Sequence, residues 1–123
     1  MVRWLLAFLV TQLVEMPIYR RRARTTWLEA FGASAFTHPI VWFVIPGWVY
    51  AFTEQVLAAR FGLRLTARES WLVMAIVAES FAVLAEAAYL KLLLRPRPLS
   101  TSLIANGASV AVGLTLRSLF GLP

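Results

Sequence analysis

Four apolar segments, each close to the length of a membrane-crossing helix, constrain this fold more than any other feature of the sequence. A helix needs about 20 mainly apolar residues to cross a bilayer, with a range of about 17–25. Of the 123 residues, 60% are hydrophobic and 15% are charged, whereas soluble domains carry about 25% charged residues. The sequence therefore predicts an all-α polytopic membrane protein, a single domain over residues 1–123. Its transmembrane helices are expected at about residues 3–19, 25–45, 69–91 and 98–118.

Composition and charge exclude several other classes. A disordered chain is poor in aromatic residues, whereas 13% of this chain is aromatic. Without cysteine there is no disulfide scaffold or cysteine zinc module. The net charge is +6, but the basic residues stand mostly beside apolar segments, where they fix topology and contact anionic lipid headgroups. We therefore predict the lipid bilayer as a partner and not nucleic acid. A homo-oligomer and a larger membrane complex both stay open.

The second apolar run, which lies between Glu29 and Glu54, is too long for one ordinary span. Pro39 and Pro46 interrupt it, and Pro46-Gly47 is a turn signal. The pattern predicts a membrane helix that ends near residue 45 and is kinked near Pro39. A short interfacial helix over about residues 48–60 would follow, and a tightly bent helical hairpin is the alternative. The expected architecture is thus a four-transmembrane-helix bundle with one short interfacial helix.

The orientation of the bundle is predicted from its lysines and arginines. Seven of them stand in the first and third loops and five on the opposite side. The positive-inside rule and the dense cluster at residues 20–24 place both basic loops in the cytoplasm. The protein is then N-out and C-out in the cell inner membrane. The first segment is expected to be retained, because Glu15 and the arginine cluster follow it without a small-x-small cleavage site.

Five ionisable residues stand inside the apolar segments, where each costs a few kcal/mol and indicates function. From a rise of about 1.5 Å per residue, Glu15, Glu29 and Glu86 lie about 6–8 Å inside the cytoplasmic boundary. Glu79 and His38 lie deeper, about 18–20 Å from it. The sequence thus predicts a lower acidic tier and an upper tier in which Glu79 pairs with His38. Such a pair can carry a proton or form an ordinary hydrogen bond between helices.

Each predicted helix carries one polar stripe at helical spacing, and the simplest bundle turns all four stripes inward. We predict one binding site for a substrate, proton or ion, with supporting side chains around it. Two alternatives remain. Glu15, Glu29 and Glu86 could instead reach the cytoplasmic interface, and Asn106 could serve only to join helices through a hydrogen bond. The site residues are Glu15, His38, Glu79, Glu86 and Asn106, and the supporting residues are Thr37, Ser34, Tyr19, Tyr89 and Ser109.

Several polar strings give the sequence a recognisable pattern. They are Thr37-His38-Pro39-Ile40-Val41-Trp42-Phe43, Glu15-x-Pro17-x-Tyr19, Glu79-x6-Glu86-x2-Tyr89 and Asn106-x2-Ser109-x3-Gly113. Over nearly the whole chain this pattern resembles a group of small bacterial polytopic membrane proteins of unknown function. Ser34 stands where that group has an asparagine shortly before its Thr-His-Pro. The resemblance implies that these positions form one site, and it supplies no activity, cofactor or substrate.

Three functions agree with these residues. The first is a buried Glu/His core that binds or relays protons, a small cation or a small solute. The second is a non-catalytic subunit or assembly factor of a larger membrane complex, with its polar stripes against partner helices. The third is a membrane metalloenzyme, since carboxylate and imidazole ligands suit iron, manganese or zinc, although the Glu-x-x-His pairs of di-iron bundles are missing. Its ligands would be His38, Glu79, Glu15 and Glu86. No nucleophile motif is recognisable, which favours a non-enzymatic role without deciding it, and the sequence indicates no particular cofactor.

Overall fold

The structure, a computed structural model, describes residues 2–121 and contains helices but no strand within that range. All four long helices have the length and apolar composition needed to cross a membrane. The predicted all-α, four-helix architecture is confirmed, with helix boundaries within a few residues of those expected for three of the helices. The helices are α1 Val2–Arg22, α2 Trp27–Phe61, α3 Ala67–Leu92 and α4 Pro98–Phe120.

The four helices form a closed ring in which α1 packs against α2 and α4, and α3 packs against α2 and α4. Short connections make sequential helices antiparallel. The connections at residues 23–26 and 93–97 lie at one end of the bundle, which we call the basic end. The start of α1, the end of α4 and the connection at residues 62–66 lie at the other end, which we call the terminal end.

Local sequence explains where α2 and α3 begin. Thr26 accepts a hydrogen bond from the Glu29 backbone N–H at 3.2 Å, and Glu29 accepts one from the Thr26 N–H at 2.7 Å. Thr66 and Glu69 form the same reciprocal pair at the start of α3. These capping boxes satisfy backbone donors that have no partner within the helix.

The turn expected at Pro46-Gly47 is wrong, because α2 continues as a helix to Phe61. Neither a separate helix at residues 48–60 nor a bent hairpin within them is formed. Two wider π-helical stretches, Ile40–Val44 and Phe52–Ala58, are built into α2. In the first stretch the Ile45 N–H donates to the Ile40 carbonyl, five residues earlier, and such widened turns absorb irregularities in the hydrogen-bond ladder.

Packing stabilises α2 where the local signal favours a turn. Ile45 and Val49 are buried and form an apolar cluster with Ala78 of α3. In a bilayer, close packing between helices and the need to satisfy every backbone polar group within the helix both favour its continuation. Tertiary contacts therefore keep the chain helical past Pro46.

The distribution of polarity is inverted relative to a soluble protein. Large apolar side chains face outward, with Leu28 exposed by 79% and Leu92 by 82%. Small and polar side chains fill the interior, including Glu15, Ser34 and Asn106. Small residues and polar contacts at helix interfaces are typical of bundles that lipid surrounds. The polar stripes consequently meet inside the bundle.

Candidate functional site

Glu86 of α3 lies at the centre of the polar core and is 1% exposed. Its Oε2 accepts hydrogen bonds from the Tyr19 hydroxyl and from Nδ2 of Asn106, the latter at 2.6 Å. Its Oε1 accepts one from Oγ1 of Thr37 at 2.8 Å. Side chains from the three other helices thus converge on one carboxyl group.

Glu15 of α1 is the second buried carboxyl group and is also 1% exposed. Its Oε2 accepts a hydrogen bond from the Ser34 hydroxyl of α2. Its Oε1 accepts one from Oγ of Ser109 of α4 at 2.6 Å. Ser34 and Thr37 share one face of α2, and Asn106 and Ser109 share one face of α4. The two carboxyl groups therefore belong to one hydrogen-bonded cluster, which we call the acidic pair.

No basic side chain neutralises the acidic pair within residues 2–121. The ion pair found in that range joins Arg95 to Glu29, at the basic end. The alternative in which Glu15 and Glu86 reach the cytoplasmic interface is wrong, because both are enclosed and bonded to hydroxyl and amide groups. A buried carboxylate is costly unless hydrogen bonds and a positive charge compensate it. The acidic pair has the hydrogen bonds, but no basic side chain between residues 2 and 121 forms an ion pair with it.

A cavity of about 300 Å³ leads from the acidic pair toward the terminal end. Small side chains leave this space open, among them Ala7, Ala75 and Gly113. Glu15 and Glu86 form its floor, and Arg117 lies near its mouth, since α4 reaches the terminal end two turns after Ser109. The remaining lining residues are Thr11, Ser34, Thr37, His38, Val41, Trp42, Trp71, Glu79, Ala82, Asn106, Ser109, Val110 and Leu114.

A second space, of about 730 Å³, adjoins the mouth and shares Trp42, Trp71 and Arg117 with the first. It adds Arg3 and Gly121 from the terminal end. Toward the basic end, fully buried residues fill the bundle below the acidic pair: Tyr19, Ala23, Ala30, Leu90 and Thr101. The cavity therefore opens at the terminal end and closes at the acidic pair.

His38 and Glu79 both line this cavity, but the predicted pair between them is wrong. No hydrogen bond or ion pair joins them in the described part of the chain. The His38 ring instead lies among aromatic rings, with centroids 5.3 Å from Phe8 and 5.9 Å from Trp42. His38 is 8% exposed, and its buried Nε2 has no hydrogen-bond partner within residues 2–121.

Two predicted polar residues lie outside the site. Tyr89 packs its ring against Phe36 at 5.8 Å and its hydroxyl against Gly32, so its position three residues after Glu86 does not bring it to the acidic pair. Glu29 caps α2 and binds Arg95, with Nη2–Oε distances of 2.5 and 2.7 Å. The lower acidic tier therefore contains two glutamates and not three.

The four metal ligands suggested by the sequence do not form a centre. Within residues 2–121 no group of three or more His, Cys, Asp or Glu side chains is arranged to hold a metal ion. Glu15 and Glu86 accept the hydrogen bonds of the cluster, whereas Glu79 and His38 line the same cavity without taking part in those bonds. The predicted four-ligand metal centre is therefore wrong for the described residues.

The sequence interpretation did not include Arg117 or Trp71 among the site residues, although both line the cavity. Helical spacing could have found both. Arg117 follows Gly113 by four residues on the polar stripe of α4, and Trp71 precedes Ala75 by four on the stripe that continues to Glu79. Both extend the stripes to the mouth of the cavity.

The fold and the site together define a polytopic four-helix bundle of membrane-spanning composition, with a buried acidic pair at the closed end of a cavity. No protein-family model, curated protein or solved structure matches the chain. The resemblance to small bacterial membrane proteins stays a prediction.

Proposed function

We propose that this protein binds a small positively charged species at the acidic pair, in exchange for protons. The observation that carries the proposal is the environment of Glu15 and Glu86. Both are 1% exposed, five hydrogen-bond donors surround them, and no basic residue within residues 2–121 pairs with them. A proton or a bound cation supplies the positive charge that this cluster lacks.

The composition of the cluster favours a hard cation or a group with N–H donors. The oxygen atoms of its carboxyl and hydroxyl groups are ligands that suit hard cations and not soft metals. The cavity gives such a species a path from the terminal end. With the basic loops in the cytoplasm of an inner-membrane protein, this path opens to the outside.

The two other functions receive less support. A subunit whose polar stripes face partner helices requires those stripes on the outside of the monomer, whereas Ser34, Thr37 and Asn106 are buried within it. A metalloenzyme requires a ligand group, and the described residues form none.

The experiment is a calorimetric titration of the full chain in lipid nanodiscs. LiCl, NaCl, KCl and methylammonium chloride are the probes, each in two buffers with different ionisation enthalpies. The difference between the buffers gives the number of protons released per cation bound. We expect saturable binding of at least one probe with proton release.

Glu15→Gln and Glu86→Gln each remove one negative charge and are expected to weaken binding at least tenfold. Glu54→Gln makes the same change on an exposed part of α2 and is the matched control. Absence of proton-coupled binding for every probe would overturn the proposal. Equal binding by the wild type and both site variants would overturn it as well.

A further inference from the structure

The cavity is larger than an inorganic cation requires. A water molecule occupies about 30 Å³ of liquid, so a space of about 300 Å³ corresponds to several such molecules. Sites for small organic ligands begin at about 300 Å³. The volume above the acidic pair therefore fits an organic molecule with a positively charged group.

The charges along the cavity have a fixed order from floor to mouth. Glu15 and Glu86 form the floor, Glu79 lines both the cavity and the space at its mouth, and Arg117 and Arg3 lie at the terminal end. Neither arginine has an ion-pair partner within residues 2–121. Ser109, which binds Glu15, and Arg117 are eight residues apart on α4, a distance of about 12 Å along the helix axis. A bare cation would meet the two guanidinium groups before it reached the acidic pair.

The wall between the two charged regions combines apolar surface with an unsatisfied polar atom. Trp42 of α2 and Trp71 of α3 both line it. Nε2 of His38 is buried without a partner among the described residues, and buried polar atoms are rarely left in that state. A ligand in the cavity would contact the aromatic surface and lie beside this nitrogen.

Building on the proposed function, we propose that the ligand is a small extended zwitterion. Its primary ammonium group binds between Glu15 and Glu86, and its carboxylate binds Arg117 at the mouth. An ammonium group offers three N–H donors to the two carboxyl groups, and an Arg–carboxylate contact can be bidentate. Several methylene groups between the charges would pack against Trp42 and Trp71. The ligand class is therefore an ω-amino acid.

The test compares three probes of equal chain length, 6-aminohexanoate, hexylamine and hexanoate, by calorimetry with the full chain in nanodiscs. We expect 6-aminohexanoate to bind at least tenfold more tightly than hexylamine, and hexanoate not to bind. Arg117→Gln is expected to remove the difference between 6-aminohexanoate and hexylamine. Arg60→Gln changes an exposed arginine that lines neither the cavity nor the space at its mouth, and it is the control.

The sole histidine gives an independent readout. Because the chain contains one His, selective ¹⁵N-histidine labelling yields signals from His38 alone. We expect 6-aminohexanoate to shift these signals in the wild type and in Arg60→Gln, but not in Glu86→Gln.

The outcomes separate this proposal from the proposed function. If hexylamine binds as tightly as 6-aminohexanoate, or if only inorganic cations bind with proton release, the zwitterion is excluded while cation binding at the acidic pair stands. If Glu15→Gln and Glu86→Gln bind every probe as the wild type does, both proposals are overturned.

Discussion

Asn106 donates a hydrogen bond from Nδ2 to Oε2 of Glu86 at 2.6 Å, which ties α4 to α3 inside the bundle. The same Nδ2 lies 3.0 Å from the Ser102 carbonyl oxygen. Since an amide nitrogen can only donate, Glu86 Oε2 has to be the acceptor. This contact fixes the position of one oxygen of the acidic pair.

Replacement of Asn106 by leucine is expected to lower the free energy of unfolding by about 1–3 kcal/mol, because the buried carboxyl group of Glu86 loses a hydrogen-bond donor. Chemical denaturation in detergent micelles measures the change. Thr115→Val is the control, since its hydroxyl is exposed and bonds only to Ala111 of its own helix. Its expected effect is within about 0.5 kcal/mol. Equal stability of the two variants would contradict a structural role for the Asn106–Glu86 contact.

Gly32 allows α2 to approach Tyr89 of α3 closely. A Cβ atom at Gly32 would lie 2.7 Å from the Tyr89 hydroxyl oxygen and 3.5 Å from Cζ. We expect Gly32→Ala to destabilise the protein by about 1–3 kcal/mol through this overlap. In a Tyr89→Phe background the oxygen is gone, and the same change should be neutral or stabilising by up to about 1 kcal/mol, because alanine favours helix.

Thermal unfolding of the single and double variants measures this coupling. Gly107→Ala is the matched control, since nothing lies within 4 Å of a Cβ atom there, and it should be neutral or stabilising in both backgrounds. If Gly32→Ala had the same effect with tyrosine and with phenylalanine at position 89, the steric explanation would be wrong.

Arg95 and Glu29 join the α3–α4 connection to the start of α2, but this ion pair is expected to contribute little stability. Their side chains are 28% and 22% exposed, and pairs in contact with solvent contribute about 0–1 kcal/mol. Arg95→Gln should therefore cost less than about 1 kcal/mol, and the cost should shrink as salt screens the charges. Unfolding at low and high NaCl concentration, with the exposed Arg64→Gln as control, tests this. A larger loss that salt does not change would show that Arg95 has another role.

The predicted orientation can be tested with single cysteines, because the chain has none of its own. Leu63 lies in the connection at the terminal end, and Leu94 lies in the connection at the basic end, where it is 91% exposed. With both basic loops in the cytoplasm, an impermeant thiol reagent should label Leu63→Cys in intact cells. Leu94→Cys should react only after the cells are permeabilised. The reverse pattern would place the cavity mouth in the cytoplasm.

Sequence reasoning predicted the four helices and much of the site, because both depend on patterns within single helices. Apolar length located the spans, and the spacing of Glu15, Ser34, Glu86 and Asn106 placed one polar face on each helix. Once four such faces turn inward, their residues meet. The residues of the acidic pair and of the donors around it were therefore predictable. Which donors bind Glu15 and which bind Glu86 was not.

The remaining features depend on contacts between helices, which the sequence does not show directly. Glu79 and His38 were paired from equal depth alone, but aromatic rings of α1 and α2 surround His38 instead. The signal at Pro46-Gly47 favoured a turn, but burial of Val49 against Ala78 keeps α2 helical. In each case packing with a neighbouring helix decided the outcome.

The side chains around the acidic pair have one further consequence. Of the five donors, only the amide of Asn106 has a fixed hydrogen-bonding direction, while the other four are hydroxyl groups. A hydroxyl can rotate to donate to a carboxylate or to accept from a carboxylic acid. Glu15 and Glu86 can thus gain or lose protons while the hydroxyl groups reorient and every helix stays in place. The charge of the site is adjustable even though its shape is constant.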